Sequence, residues 1–180
     1  MKALTIYQPW ASLIALGLKG TETRGRGTRY RGPLVIHAGL RWDAELERLY
    51  YTIRGYLAGL GGANLPRLPL PLGAALAVSE VIDSIEVTVG NQGNQGMFTE
   101  SDRVLGDCSV GRHVIVLGKP RPLRTPIPCR GAQGLWTVPP RLEDDIRYQI
   151  PDVYSIPDQR RRDVARDRKL EQDRGKGDSP

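Results

Sequence analysis

Apolar and polar positions alternate from the start of the chain. Leu4 and Ile6 interleave with Thr5 and Tyr7, which predicts a strand over Lys2–Tyr7. Gln8-Pro9 then opens a helix, with Pro9 suited to the first helical position. Trp10, Leu13 and Ile14 give that helix an apolar stripe at i, i+3 and i+4. Gly17 is its stop, with Lys19 just beyond. Thr21–Arg24 is short and β-prone, Gly25–Gly32 is a basic loop, and Pro33–Ala38 reads as a buried strand. Asp43 caps a second helix whose stripe is Leu46, Leu49, Tyr50, Ile53 and Leu57. The segment Leu60–Gly73 carries Pro66, Pro69 and Pro71 and is a linker rather than a helix.

Ala74–Val89 is the longest strand expected, apolar and rich in β-branched residues. Gly90–Gly96 reads as a mobile loop and Gly106–Gly111 as a turn. Arg112–Leu117 is another buried strand. Lys119–Pro128 holds four prolines and is expected to be an extended edge or connector. Gly131–Trp136 is a compact turn with one large anchor. After Pro139-Pro140 the apolar content falls, and Asp163–Arg174 is either an exposed helix of alternating charge or disordered. This order predicts an α+β fold, with short strands closing into a small mixed β-barrel and two or three helices flanking it. Two convincing helices in the globular part are too few for a doubly wound sheet. The expected organisation is one domain over 1–140 and a charged C-terminal extension over 141–180, partly helical or disordered.

Composition narrows the function. The 180 residues suit one domain, and 21 glycines with 14 prolines favour turns and short strands over a helical bundle. The formal charge is +6. Residues 1–41 alone hold seven basic side chains and one acid, Glu22, whereas 151–180 are of mixed sign. A localised patch of this kind attracts polyanions. Its densest run is Arg24-Gly-Arg-Gly-Thr-Arg-Tyr-Arg31, which is otherwise a solvated Gly-Arg loop. No run approaches the roughly 20 apolar residues that span a bilayer. The apolar start is too short for a secretory signal. Two cysteines, Cys108 and Cys129, make neither a disulfide framework nor a zinc site. The expectation is a cytoplasmic protein without membrane partners. No metal signature, P-loop or dinucleotide fingerprint is present, so no metal or cofactor is expected. His37, at the end of an apolar strand, reads as a satisfied structural histidine.

Three segments carry the chemistry: Tyr7-Gln-Pro-Trp-Ala-Ser12, Gly17-Leu-Lys-Gly-Thr-Glu-Thr-Arg24 and Arg130-Gly-Ala-Gln-Gly-Leu-Trp136. With the strand Tyr30-Arg-Gly-Pro-Leu-Val-Ile-His-Ala38, they resemble the ASCH domain family of the PUA-like β-barrels over roughly residues 2–138. The resemblance implies a small barrel with a cleft between the first helix and the strands. It also implies work on nucleic acid, usually RNA. Lys19, Glu22 and Arg24 match the family's Gly-x-Lys-x-x-Glu-x-Arg pattern, and Gln8, Trp10, Gln133 and Trp136 match its two aromatic-bearing segments. Some members only bind, and others are hydrolases or nucleases. The small amidohydrolase branch that deacetylates N4-acetylcytidine has Thr three residues after the lysine. Here that position is Glu22, flanked by Thr21 and Thr23, a departure from that branch's nucleophile.

The residues themselves leave two chemistries open. Lys19 is either a cation for phosphate or a base carbonyl, or a base whose pKa burial has lowered from about 10.4. Glu22 opposes the second role by holding Lys19 charged, and is itself the alternative base for activating water. On a strand Glu22 and Arg24 share one face, where they form either a structural pair or a reader of an exocyclic amine and a phosphate. Trp10 and Trp136 are either core residues or stacking faces for an unstacked base. The leading reading is a module that binds RNA or single-stranded nucleic acid through Gln8, Trp10, Lys19, Glu22, Arg24, Gln133 and Trp136, with Arg26, Arg29 and Arg31 adding backbone affinity. The alternatives are a hydrolase of a modified nucleoside or of RNA, with Lys19 and Glu22 as catalytic candidates, and a protein partner docked on the C-terminal extension. The sequence assigns no oligomeric state.

Overall fold

Alternation along the first strand decides both faces of the sheet. In the computed structural model, which describes residues 1–60, 65–91 and 100–154, β1 (Lys2–Ile6) turns Leu4 and Ile6 to one core cluster and Ala3 to another. β3 (Gly32–Ala38) runs parallel to β1 with Thr5 opposite His37, and splits likewise into Leu34 and Ile36 on one face and Val35 on the other. Between them lie α1 (Trp10–Ala15) and β2 (Thr21–Arg24). Gly17, at φ 74°, ends the α1 turn in the left-handed region as expected of the stop.

Asp43 caps α2 (Ala44–Gly59) by accepting from the Glu45 and Leu46 N–H groups, and Leu46, Tyr50, Ile53 and Leu57 are the buried stripe. β4 (Ala74–Glu86) is the spine of the sheet. It pairs with β3 along one edge. The other edge is shared between β6 (Arg121–Pro128) near Ala74–Val78 and β5 (His113–Leu117) near Val81–Glu86. A short α3 (Glu100–Val104) precedes β5, and β7 (Leu135–Thr137) pairs with β1.

The strands form one mixed seven-stranded sheet in the order β2-β5-β4-β3-β1-β7, with β6 on β4. The α+β class stands, but the expected closed barrel does not. β2 and β7 end the sheet and are not paired with each other among the described residues. The reason is local. β4 spends one edge on two successive partners, and β7 has only three residues, too few to carry the ladder round. Register shifts in β4 between Ala75 and Ala77 and between Val81 and Asp83 bend the sheet without closing it.

Four helices are described rather than two or three. The fourth, α4 (Pro140–Gln149), begins at the proline pair and lies within the segment read as a charged extension. Two apolar residues at i and i+4, Leu142 and Ile146, suffice to bury it against Ala3, Val35 and Val78, followed by Ile150 and Val153. The Gln149 amide exchanges two hydrogen bonds with the Thr125 backbone at 3.1 Å. Most of the Gly90–Gly96 loop, part of the Leu60–Gly73 linker and the Asp163–Arg174 segment lie outside the described residues. Among the described residues no helix is long and apolar enough to cross a membrane.

Candidate functional site

A cleft of about 1090 Å³ takes side chains from both ends of β4. Arg24 and Arg112 come from the β2–β5 side, near Glu86. Thr5, His37 and Gly73 come from the Ala74 side. A flat 13-residue strand would separate these groups by roughly 40 Å, so the bent sheet is what brings them to one opening.

The turn after α1 carries Lys19 inside, where it is 2% exposed. Its Nζ donates to the Thr21 carbonyl at 2.5 Å and to the Thr21 hydroxyl at 3.3 Å. That hydroxyl in turn donates to Asp102 Oδ1 at 2.9 Å, which also accepts the Gly20 N–H at 2.9 Å. Gly106 closes over this group. A Cβ there would stand 2.7 Å from the Asp102 carbonyl and 3.3 Å from Lys19 Nζ, so the residue has to be small. Burial pulls the Lys19 pKa below its ordinary value, against the opposing charges of Glu22, Asp102 and Cys108. Glu22 does favour the charged form of Lys19, as expected, but desolvation is the larger effect.

Glu22, buried on β2, is pushed the other way. Desolvation raises its pKa, and Lys19, Arg24 and Arg112 oppose the rise. Arg24 shares its face of β2, as alternation requires, with Nη1 3.6 Å from Glu22 Oε1. Arg112 adjoins the register partner of Arg24, His113, and stands 3.3 Å from Asp107. These residues with Trp10, whose indole N–H donates to the Leu105 carbonyl at 2.8 Å, make one side of the cleft.

The opposite side is the loop between β6 and β7. It presents Arg130 and Gln133, both exposed, around Gly131. His37 lies beneath this loop, 2% exposed, and its Nε2 is 3.1 Å from the Cys129 carbonyl. A carbonyl only accepts, so Nε2 carries the proton and Nδ1 is the bare acceptor. Nδ1 has no hydrogen-bond partner among the described residues. Burial lowers the His37 pKa, which keeps the ring neutral. Trp136 meets that ring edge-on, centroids 5.7 Å apart, and donates its indole N–H to Thr5 Oγ1 at 3.1 Å.

Of the residues singled out from sequence, Trp10, Lys19, Glu22, Arg24 and Gln133 line the cleft together. Gln8 does not. It is fully buried, its Oε1 accepting from the Ser12 N–H at 3.1 Å and its Nε2 donating to the Pro71 carbonyl at 2.9 Å. Trp136 packs against the α4-side core rather than lining the opening. Arg26 and Arg29 are exposed on the loop after β2, outside the cleft. Arg31 reaches Asp83 at 2.6 Å and the Thr28 and Tyr30 carbonyls at 2.9 Å. Sequence reasoning missed Tyr7, Asp107, Arg112 and Arg130 as lining residues. Arg130 was legible as the neighbour of the Gly-Ala-Gln-Gly turn. Asp107 lies within the Gly106–Gly111 turn and Arg112 just after it, and neither carries a motif of its own. Among the described residues no group of three or more His, Cys, Asp or Glu side chains is placed to hold a metal ion.

No family model matches the chain. It is 26% identical over 144 residues to activating signal cointegrator 1 of Homo sapiens and 27% identical to the Mus musculus protein of that name, over 77% of this chain. The chain spans 22% of the length of these curated relatives. Among solved structures, the crystal structure of ASCH from Zymomonas mobilis aligns with a TM-score of 0.49 at 12% identity, covering 82% of this chain and 93% of that one. A tyrosine-to-phenylalanine mutant of the same Zymomonas mobilis protein aligns with a TM-score of 0.48 at 12% identity, covering 82% and 96%. Activating signal cointegrator 1 carries an ASCH domain, so the resemblance to the ASCH domain family drawn from the motifs of residues 2–138 is found again among the curated proteins.

Proposed function

We propose that the protein binds single-stranded nucleic acid, RNA in preference to DNA, with one unstacked nucleotide in the cleft. The observation that carries this reading is the lining itself: Lys19, Arg24, Arg112 and Arg130 against the carboxylates of Glu22 and Asp107, with Trp10 and apolar Leu105 between them. Cations at the mouth suit phosphate, whereas buried donors and a carboxylate suit a base edge. A cleft of about 1090 Å³ suits a splayed base better than a duplex. Arg26 and Arg29, exposed just beyond Arg24, extend the cationic surface along the strand's backbone. The likeness to an ASCH-bearing protein supports the same reading.

The test is a titration of labelled single-stranded RNA, single-stranded DNA and duplex DNA at two salt concentrations, with each nucleic acid run on a gel afterwards. Salt-sensitive binding of intact RNA that Arg112→Ala and Arg130→Ala weaken is the expected result. Equal affinity for duplex DNA, or none for any strand, overturns it.

One observation favours a second reading, hydrolysis of RNA or of a modified nucleoside. Burial lowers the Lys19 pKa and raises that of Glu22, which moves the two values toward each other, as a pair exchanging a proton requires. That reading requires cleaved product, lost in Lys19→Met and in Glu22→Gln with the fold retained.

A further inference from the structure

The loop that carries Arg130 and Gln133 contains no regular structure, yet it forms a whole side of the cleft. Something must hold it. Its first residue is pinned twice: the Cys129 N–H donates to the Gly73 carbonyl at 2.9 Å, and the Cys129 carbonyl accepts from His37 Nε2 at 3.1 Å. Two residues on, Gly131 lies directly against the same imidazole. A Cβ there would stand 2.5 Å from His37 Cε1, 2.7 Å from its Nδ1 and 2.7 Å from Thr5 Oγ1, so the backbone itself packs on the ring. The ring cannot yield, because Trp136 meets its edge and is tied to Thr5, the register partner of His37. The β3–β4 register shifts beside His37, with Leu76 of β4 as the extra residue, while the β1–β3 register runs unbroken through Thr5 and His37.

From this geometry we propose that His37 is a positioning residue for ligand recognition. It sets where Arg130 and Gln133 stand, through the Cys129 carbonyl and the contact with Gly131. The proposal rests on the cleft being the nucleic-acid site. It adds that the reach of the Gly-Ala-Gln-Gly turn is determined from β3, by a residue that otherwise reads as core.

The test separates position from packing. His37→Gln keeps an N–H donor near the place of Nε2, whereas His37→Phe keeps a ring and loses the donor. Amide hydrogen exchange at residues 130–134 of the free protein is the first readout. Faster exchange there in His37→Phe, restoration in His37→Gln, and unchanged exchange in β5 are expected. The second readout is affinity for labelled single-stranded RNA. His37→Phe is expected to weaken it about fivefold to tenfold, the scale of one lost ordering hydrogen bond. The double variant with Gln133→Ala should lose less than the sum of the two single losses. Unchanged exchange at 130–134 in His37→Phe overturns the proposal, as does a loss that His37→Gln fails to restore or that adds fully to Gln133→Ala. A wild-type protein that binds no strand overturns the nucleic-acid reading, and the exchange result then still decides whether His37 positions the loop.

Discussion

Single residues in this protein are decided by whether their polar atoms find partners. Lys19 and Gln8 are both buried, but differently engaged. Gln8 satisfies both ends of its amide on Ser12 and Pro71, away from the cleft, whereas Lys19 lines the cleft and donates to the carbonyl and hydroxyl of Thr21. The pattern around Lys19 also shows why Gly-x-Lys-x-x-Glu-x-Arg is compact: the helix stop at Gly17 turns the lysine inward, and the strand that follows sets Glu22 and Arg24 on one side. A cap is the simplest residue-scale test. Asp43 accepts from two otherwise unsatisfied N–H groups of α2, so Asp43→Ala should cost about 1 kcal/mol in urea unfolding.

At the scale of elements, stability lies in faces that a few residues complete. α4 is the clearest instance. Ile146 is fully buried and, with Leu142, makes the apolar face of α4, so Ile146→Ala should cost about 2–5 kcal/mol by chemical denaturation. A much smaller loss would mean that α4 contributes little to the fold. β3 makes a different prediction. His37 is buried and neutral, with its pKa below the ordinary value of 6.5. Above that value neither the folded nor the unfolded chain binds a proton at this site, and the full contribution is present. As pH falls below it, the unfolded chain takes up a proton first, so stability declines until the folded pKa is also passed, by at most about 1.4 kcal/mol per pH unit. Urea midpoints of the wild type and of His37→Gln should therefore lie closer together at pH 5 than at pH 7, other titrating groups being common to both. A gap that stays constant would show that His37 does not titrate differently on folding.

For the whole molecule, charge is arranged in two layers. Arg24, Arg112 and Arg130 stand in the cleft, and Arg26 and Arg29 stand outside it. If the outer pair meets the backbone of a bound strand, replacing both with alanine removes two phosphate contacts. The slope of log affinity against log salt should then fall by about 1.4, with discrimination between bases unchanged. An unchanged slope would confine recognition to the cleft. Arg31, held by Asp83 and two backbone carbonyls, belongs with the fold in this respect more than with the surface.

Local order was legible in the chain because local order has local causes. Alternation marked β1, an apolar run marked β3, a capping aspartate and a 3.6-residue stripe marked α2, and glycine marked the stop of α1. The shared face of Glu22 and Arg24 follows from the same short-range rules, whereas Lys19 is enclosed by the distant Asp102 and Gly106. What spacing does not encode is which distant segments meet. The open sheet depends on β4 dividing one edge between β5 and β6, a choice made by register over tens of residues. Trp10 and Trp136 look alike in sequence, yet only the fold places one at the cleft and the other under α4. Arg112 and Arg130 entered the site because bending of the sheet brought two ends of one strand to a single opening. Composition gave an excess of basic side chains, and tertiary packing alone decided which of the arginines line the cleft.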